Sequence, residues 1–191
     1  MEKVAVIFPG IGYHADKPLL YYGRKLASEL GYRIIEVNYS GFESDIRGDA
    51  AKMKKAFEHA LNQSREILSK YIFSPGDDIL VISKSVGTVV AGARQQDESF
   101  SAKNIYFTPV EATFELIGRR SGIVFHGTGD PWVISDIVVN KCAELKLPLY
   151  VIEGANHSLE KGELLPDLKN LSDIMLCCRD YLCDRSTDSV V

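Results

Sequence analysis

A serine hydroxyl is a poor nucleophile near neutral pH unless a base lies within hydrogen-bond reach. Ser85 stands where such chemistry could be built. The apolar run Asp78-Ile79-Leu80-Val81-Ile82 passes through Ser83-Lys84-Ser85-Val86-Gly87 into the small-residue stretch Thr88-Val89-Val90-Ala91-Gly92. A nucleophile elbow needs this construction: a serine at a strained strand-to-helix turn, with small residues two before and two after it. Gly87 keeps the second small position, and Ser83 stands where a glycine is usual, the smallest change available. The competing reading is a helix N-cap, a role that serine also favours.

Base and acid candidates follow later strands. His157 lies in Glu153-Gly154-Ala155-Asn156-His157-Ser158, beyond the last apolar run. Asp130 lies in His126-Gly127-Thr128-Gly129-Asp130-Pro131, whose flexible glycines let the carboxylate turn back. Taken singly, Asp130 could cap a helix and His157 could be a surface loop residue. Glu153 and Asp136 remain alternative acids. Among the other histidines, His126 reads as structural, His59 as an exposed helical residue, and His14 as a possible pocket lining. A serine after one strand, an acid after a later strand and a histidine after the last would share one sheet edge, where acyl transfer could proceed.

An anion-stabilising loop is available after the first strand, in Pro9-Gly10-Ile11-Gly12-Tyr13. The N–H of Ile11 could pair with that of Val86 to hold a developing oxyanion. A dinucleotide loop would need glycine at position 15, which is Ala15. Gly10, Gly12, Tyr13, Phe42, Val110, Trp132 and Val133 are the candidate substrate-binding positions, all in loops or helix starts at the same edge. Lys84 could attract an anionic substrate or point away from it.

The elements that must position these residues are legible as an alternation. The apolar spacing predicts strands over Val4–Phe8, Tyr32–Val37, Asp78–Ile82, Asn104–Thr108, Gly122–His126 and Leu149–Ile152. Most are near-continuous apolar runs, as in strands covered on both faces. Helices are predicted over Lys17–Glu29, Asp49–Ser69, Val86–Gln95, Pro131–Leu145 and Leu164–Cys183. This alternation implies an α/β protein: a three-layer α/β/α sandwich around a mostly parallel six-stranded sheet. A single domain is expected over 1–183, followed by a polar, flexible tail over 184–191.

Composition narrows the function classes. The 191 residues are 46% hydrophobic and 25% charged, with a net charge of −4. No cluster of Lys and Arg offers the charge that nucleic acid binding needs. No apolar run approaches the ~20 residues that span a bilayer, and the start of the chain has no signal-peptide core. The four cysteines lack zinc-ligand spacing and read as reduced thiols in a cytoplasmic protein. No metal or cofactor is expected. A small-molecule acyl substrate is the expected partner, with the oligomeric state open.

PGIG after the first strand, SKSVG at the elbow, HGTGDPWV after the fifth strand and EGANHSLE after the sixth together resemble the α/β-hydrolase superfamily. The resemblance runs from Val4 to about Cys183. More narrowly, the chain is similar to small dienelactone-hydrolase-like and testis-expressed-protein-30-like hydrolases. The superfamily's chain order of serine, acid and histidine matches Ser85, Asp130 and His157. The resemblance implies an eight-stranded sheet, of which six strands are countable. It also implies a cap after the fourth strand, where only Pro109–Ser121 is available. The expected protein is therefore a minimal, uncapped serine hydrolase cleaving an ester, thioester or amide through an acyl enzyme. A lyase or a non-enzymatic interaction protein on the same scaffold remains the alternative.

Overall fold

The computed structural model describes residues 1–43, 46, 49–98 and 100–183. The tail expected over 184–191 lies outside the described residues. Six strands form one sheet: β1 (Lys3–Phe8), β2 (Arg33–Glu36), β3 (Asp78–Lys84), β4 (Lys103–Phe107), β5 (Gly122–Gly127) and β6 (Leu149–Ile152). Their order is β2-β1-β3-β4-β5-β6, and every neighbouring pair is parallel. The expectation of a mostly parallel sheet thus sharpens to a wholly parallel one.

Parallel neighbours need crossover connections, and helices supply them. These are α1 (Pro18–Glu29), α2 (Ala50–Leu68), α3 (Val86–Glu98) and α4 (Ser135–Leu145), with α5 (Leu164–Cys183) closing the chain. Strand side chains alternate between the two faces, so each central strand feeds two cores. Ala5, Ile7, Leu80, Ile82, Phe107 and Phe125 pack with Leu19, Leu20 and Ala27 of α1 and with Ile174 and Cys178 of α5. Val4, Val6, Phe8 and Val81 face the other way, against Ala60 and Leu68 of α2 and Val90 and Ala91 of α3. Tyr106 and Val124 extend that second layer to Val138 and Cys142 of α4. One handedness of crossover explains the division. Winding runs from β1 to β2 in one direction and from β3 onward in the other, so α1 lands opposite α2, α3 and α4.

Most boundaries shift by a residue at an end and α3 runs on to Glu98, while two differences bear on the site. The helix expected from Pro131 begins at Ser135, because Asp130 Oδ1 accepts the Trp132 N–H at 2.9 Å and folds 131–134 into a turn. The third strand continues through Ser83 and Lys84, carried by pairing of Ser83 with Phe8 and Tyr106. Between β4 and β5 there is only the short 3₁₀ helix Glu111–Glu115, and no lid or cap domain. No helix among the described residues is long and apolar enough to cross a membrane.

Candidate active site

All strands end along one edge, and the winding reverses between β1 and β3. That switch point is the usual place for a ligand in an open parallel sheet. Ser85 directly follows β3 with φ 56°, a left-handed conformation that is costly for a residue with a Cβ. Its N–H donates to the Phe107 carbonyl at 3.1 Å, and its carbonyl accepts from the Thr88 N–H and hydroxyl. The turn needs a close approach of helix to strand. A Cβ on Gly87 would lie 2.3 Å from the Phe8 carbonyl oxygen and 2.4 Å from that of Pro9. Ser83 is tolerated in the other small position because its hydroxyl reaches the Ile105 carbonyl at 3.4 Å.

Asp130 and His157 meet through a second close approach. Gly127 packs on the loop after β6 so tightly that a Cβ there would be 2.3 Å from the Ala155 oxygen. The two loops are laced by Thr128 N–H to Ile152 O, Gly129 N–H to Ala155 O, and Gly154 N–H to the Thr128 hydroxyl. Asn156 shapes the tip: its Oδ1 accepts from the N–H groups of Ser158 and Glu160. The result is a continuous chain. His157 Nδ1 lies 2.7 Å from Asp130 Oδ2, and His157 Nε2 lies 2.8 Å from Ser85 Oγ. An ionised carboxylate only accepts, so Nδ1 carries the proton and Nε2 is left to accept from the serine hydroxyl.

The electrostatics suit those roles. Burial lowers the His157 pKa below its ordinary value, and the Asp130 hydrogen bond only partly restores it. Burial alone would raise the Asp130 carboxyl, whose side chain is wholly covered. The His157 hydrogen bond and charge, the Trp132 N–H and the Lys84 ammonium outweigh it, so its pKa falls. The carboxylate therefore stays ionised while the imidazole stays a neutral base.

The first-strand loop adjoins the serine: a Cβ on Gly10 would lie 3.1 Å from Ser85 Cβ. Gly10 and Tyr13 exchange two backbone hydrogen bonds across a turn that puts Ile11 and Gly12 at its tip. Val86 opens α3, where the first N–H groups of a helix have no partner within it. Ile11 and Val86 thus flank Ser85 as candidate donors.

The other candidates disperse. Trp132 is 38% exposed, and its ring lies 5.6 Å from that of His157, so it borders that imidazole. Tyr13 is buried, with its hydroxyl accepting from the Leu19 N–H. Val133 packs into the core beside α4, and Val110 starts the 3₁₀ helix through its carbonyl. Phe42 lines a separate cavity of about 150 Å³ with His59, Lys52 and Lys55, which contains no member of the serine–histidine–aspartate chain. His126 is fully buried and pairs with the Ser135 hydroxyl at 2.9 Å, whereas His14 is exposed. Glu153 and Asp136 are exposed and lie outside the hydrogen-bonded chain. Among the described residues no group of three or more His, Cys, Asp or Glu is placed to hold a metal ion. Sequence reasoning overlooked Thr108 and Asn156. Asn156 carried a signal, as a turn former directly before the histidine. Thr108 carried none, since its φ of 41° and its bond to His157 exist only in the folded chain.

No family model matches the sequence, and no curated protein matches it. Solved structures do. A protein of unknown function from Agrobacterium tumefaciens, provisionally an α/β hydrolase, is 16% identical, with a TM-score of 0.66 over 100% of this chain and 88% of its own. An α/β serine hydrolase without a lid from Xanthomonas campestris is 14% identical, with a TM-score of 0.62 over 94% of this chain and 80% of its own. Est1E from Butyrivibrio proteoclasticus, with ferulic acid bound, is 13% identical, with a TM-score of 0.63 over 95% and 90%. With its wholly parallel sheet and bare β4–β5 connection, the chain has the α/β-hydrolase fold in a form without a lid or cap domain.

Proposed function

We propose that the protein is a serine hydrolase that cleaves a small ester, thioester or amide through an acyl enzyme. The observation that carries this reading is the unbroken chain Ser85–His157–Asp130, at 2.8 and 2.7 Å, on a serine held at a positive φ. His157 takes the Ser85 proton as the hydroxyl attacks the carbonyl carbon. Asp130 orients the ring and stabilises the imidazolium. The N–H groups of Ile11 and Val86 hold the oxyanion, a contribution worth roughly 10²–10³ in rate per donor. The imidazolium then protonates the leaving group, and His157 next activates water to release the acid.

The neighbours of the same fold lend support, since one is a lidless serine hydrolase and another holds an aromatic acid. With Trp132 beside His157 and no cap domain, a short or medium apolar acyl group fits best. A cytoplasmic setting belongs to the same reading, as Cys142, Cys177, Cys178 and Cys183 are free thiols.

A fluorophosphonate probe tests the mechanism. Ser85 should be labelled in the wild-type protein and lose labelling by orders of magnitude in His157→Ala. Unlabelled Ser85, or equal labelling of the variant, would sink the assignment. A p-nitrophenyl ester series from acetate to decanoate then reads acyl length, with activity expected to fall at the long end.

A further inference from the structure

Directly before Ser85, Lys84 is wholly buried, its side chain running beneath the site rather than toward a substrate. A buried ammonium must find partners, and each partner here belongs to the candidate site. Lys84 Nζ donates to the Thr108 hydroxyl. That hydroxyl donates in turn to the His157 backbone carbonyl at 3.1 Å. The ammonium also lies 5.0 Å from the centre of the Tyr13 ring, whose own hydroxyl is anchored at the start of α1. Among charged groups, the Asp130 carboxylate acts on it most strongly.

We infer that Lys84 is a positioning residue for the serine–histidine–aspartate chain: it ties the His157 loop down through Thr108 and serves as an internal cation beside Asp130. The inference rests on the proposed hydrolase reading and deepens it by naming what regulates the base. Burial brings the Lys84 pKa down to about 7, with Asp130 opposing the fall. Below that pH the ammonium is charged and repels a proton from His157, which keeps the imidazole basic into mildly acidic solution. The titratable groups around this centre are Asp130 from the loop after β5, His126 at the end of β5, Tyr13 from the loop after β1 and His157 itself. Glu160 acts on Tyr13 from the loop before α5. Lys84 and His126 both lower the His157 pKa by their charge, Lys84 the more strongly, and a neutral substitution of Lys84 leaves the Ser85–His157–Asp130 hydrogen bonds untouched.

The test is the fluorophosphonate labelling rate of Ser85 against pH, which needs no knowledge of the substrate. Wild-type labelling that fails, or that persists in His157→Ala, overturns the hydrolase reading and this inference with it. Given normal wild-type labelling, the acidic limb in Lys84→Met should move up by on the order of one pH unit, the size expected for a nearby charge. An unmoved limb overturns the role of Lys84 and leaves the hydrolase reading intact. Thr108→Val should lower the plateau rate several-fold; a plateau unchanged from wild type overturns the tether. Should Lys84→Met fail to fold, the coupling is read from the other side. The Lys84 side-chain resonance, titrated by NMR, should show a lower pKa in Asp130→Asn than in wild type. Equal values in both would overturn the electrostatic link.

Discussion

Ser85 combines two properties that a helix cap does not need: a left-handed backbone and a hydroxyl aimed at an imidazole. An ordinary N-cap residue is extended and turns its side chain back onto its own helix. The strained turn at Ser85 leaves its hydroxyl facing His157. At this scale the acid is also testable. Asp130→Asn should cost roughly 10⁴ in kcat, because the amide no longer fixes the tautomer. Glu153→Gln, at an exposed position, should stay within a few-fold of wild type; the reverse ranking would reassign the acid. The pH profile of kcat/KM carries a sign. Since the His157 pKa is lowered, the base form persists as pH falls, and the acidic midpoint should lie below the ordinary value of about 6.5. A midpoint above that value contradicts the burial that lowers it.

Elements approach one another here at distances that leave no room for a methyl group. Gly87 lets α3 abut the end of β1, and Gly127 lets the loops after β5 and β6 interlock. Gly127→Ala should cost on the order of 1–3 kcal/mol and also depress activity, since relieving the overlap pulls the Asp130 loop from the His157 loop. Gly87→Ala should destabilise by a similar amount. Gly118 has open space around its Cβ direction, so Gly118→Ala should change stability by less than about 0.5 kcal/mol. Thermal unfolding of the three variants orders them; equal midpoints would show that the contacts relax freely.

Across the whole molecule, two apolar layers enclose the sheet, and Lys84 is an ionisable side chain wholly buried at the end of its β3 strand. Its folded pKa of about 7 lies below that of an unfolded lysine, near 10.4. Between those values the unfolded chain binds the extra proton, so this group's contribution to stability rises with pH and is lost as pH falls toward 7. Lys84→Met, similar in length and apolar, should therefore match or exceed wild-type stability at pH 7, and the advantage should shrink at pH 9. A larger advantage at pH 9 than at pH 7 would contradict the sign. Stability and base tuning thus pull in opposite directions at one residue.

The sequence by itself determined the alternation of strands and helices, because residues covered on both faces must be apolar and turns must be polar or glycine-rich. It also determined the small residues around Ser85 and the order of Ser85, Asp130 and His157 along the chain. Local chemistry dictates all of these. It could not choose between a nucleophile and a cap at Ser85, nor between Asp130 and its neighbouring carboxylates. The proposed roles draw on distances between residues 27 and 72 positions apart. The start of α4 departs from its apolar spacing for a related reason, since the Asp130 side chain captures the Trp132 N–H and delays the helix. Phe42 and Tyr13 shared the right sheet edge, but side-chain direction sent one to a separate cavity and the other onto Lys84. Lys84 shows the division most plainly. Its spacing placed it beside the nucleophile, and only the packing of four loops at the strand ends turned its charge inward.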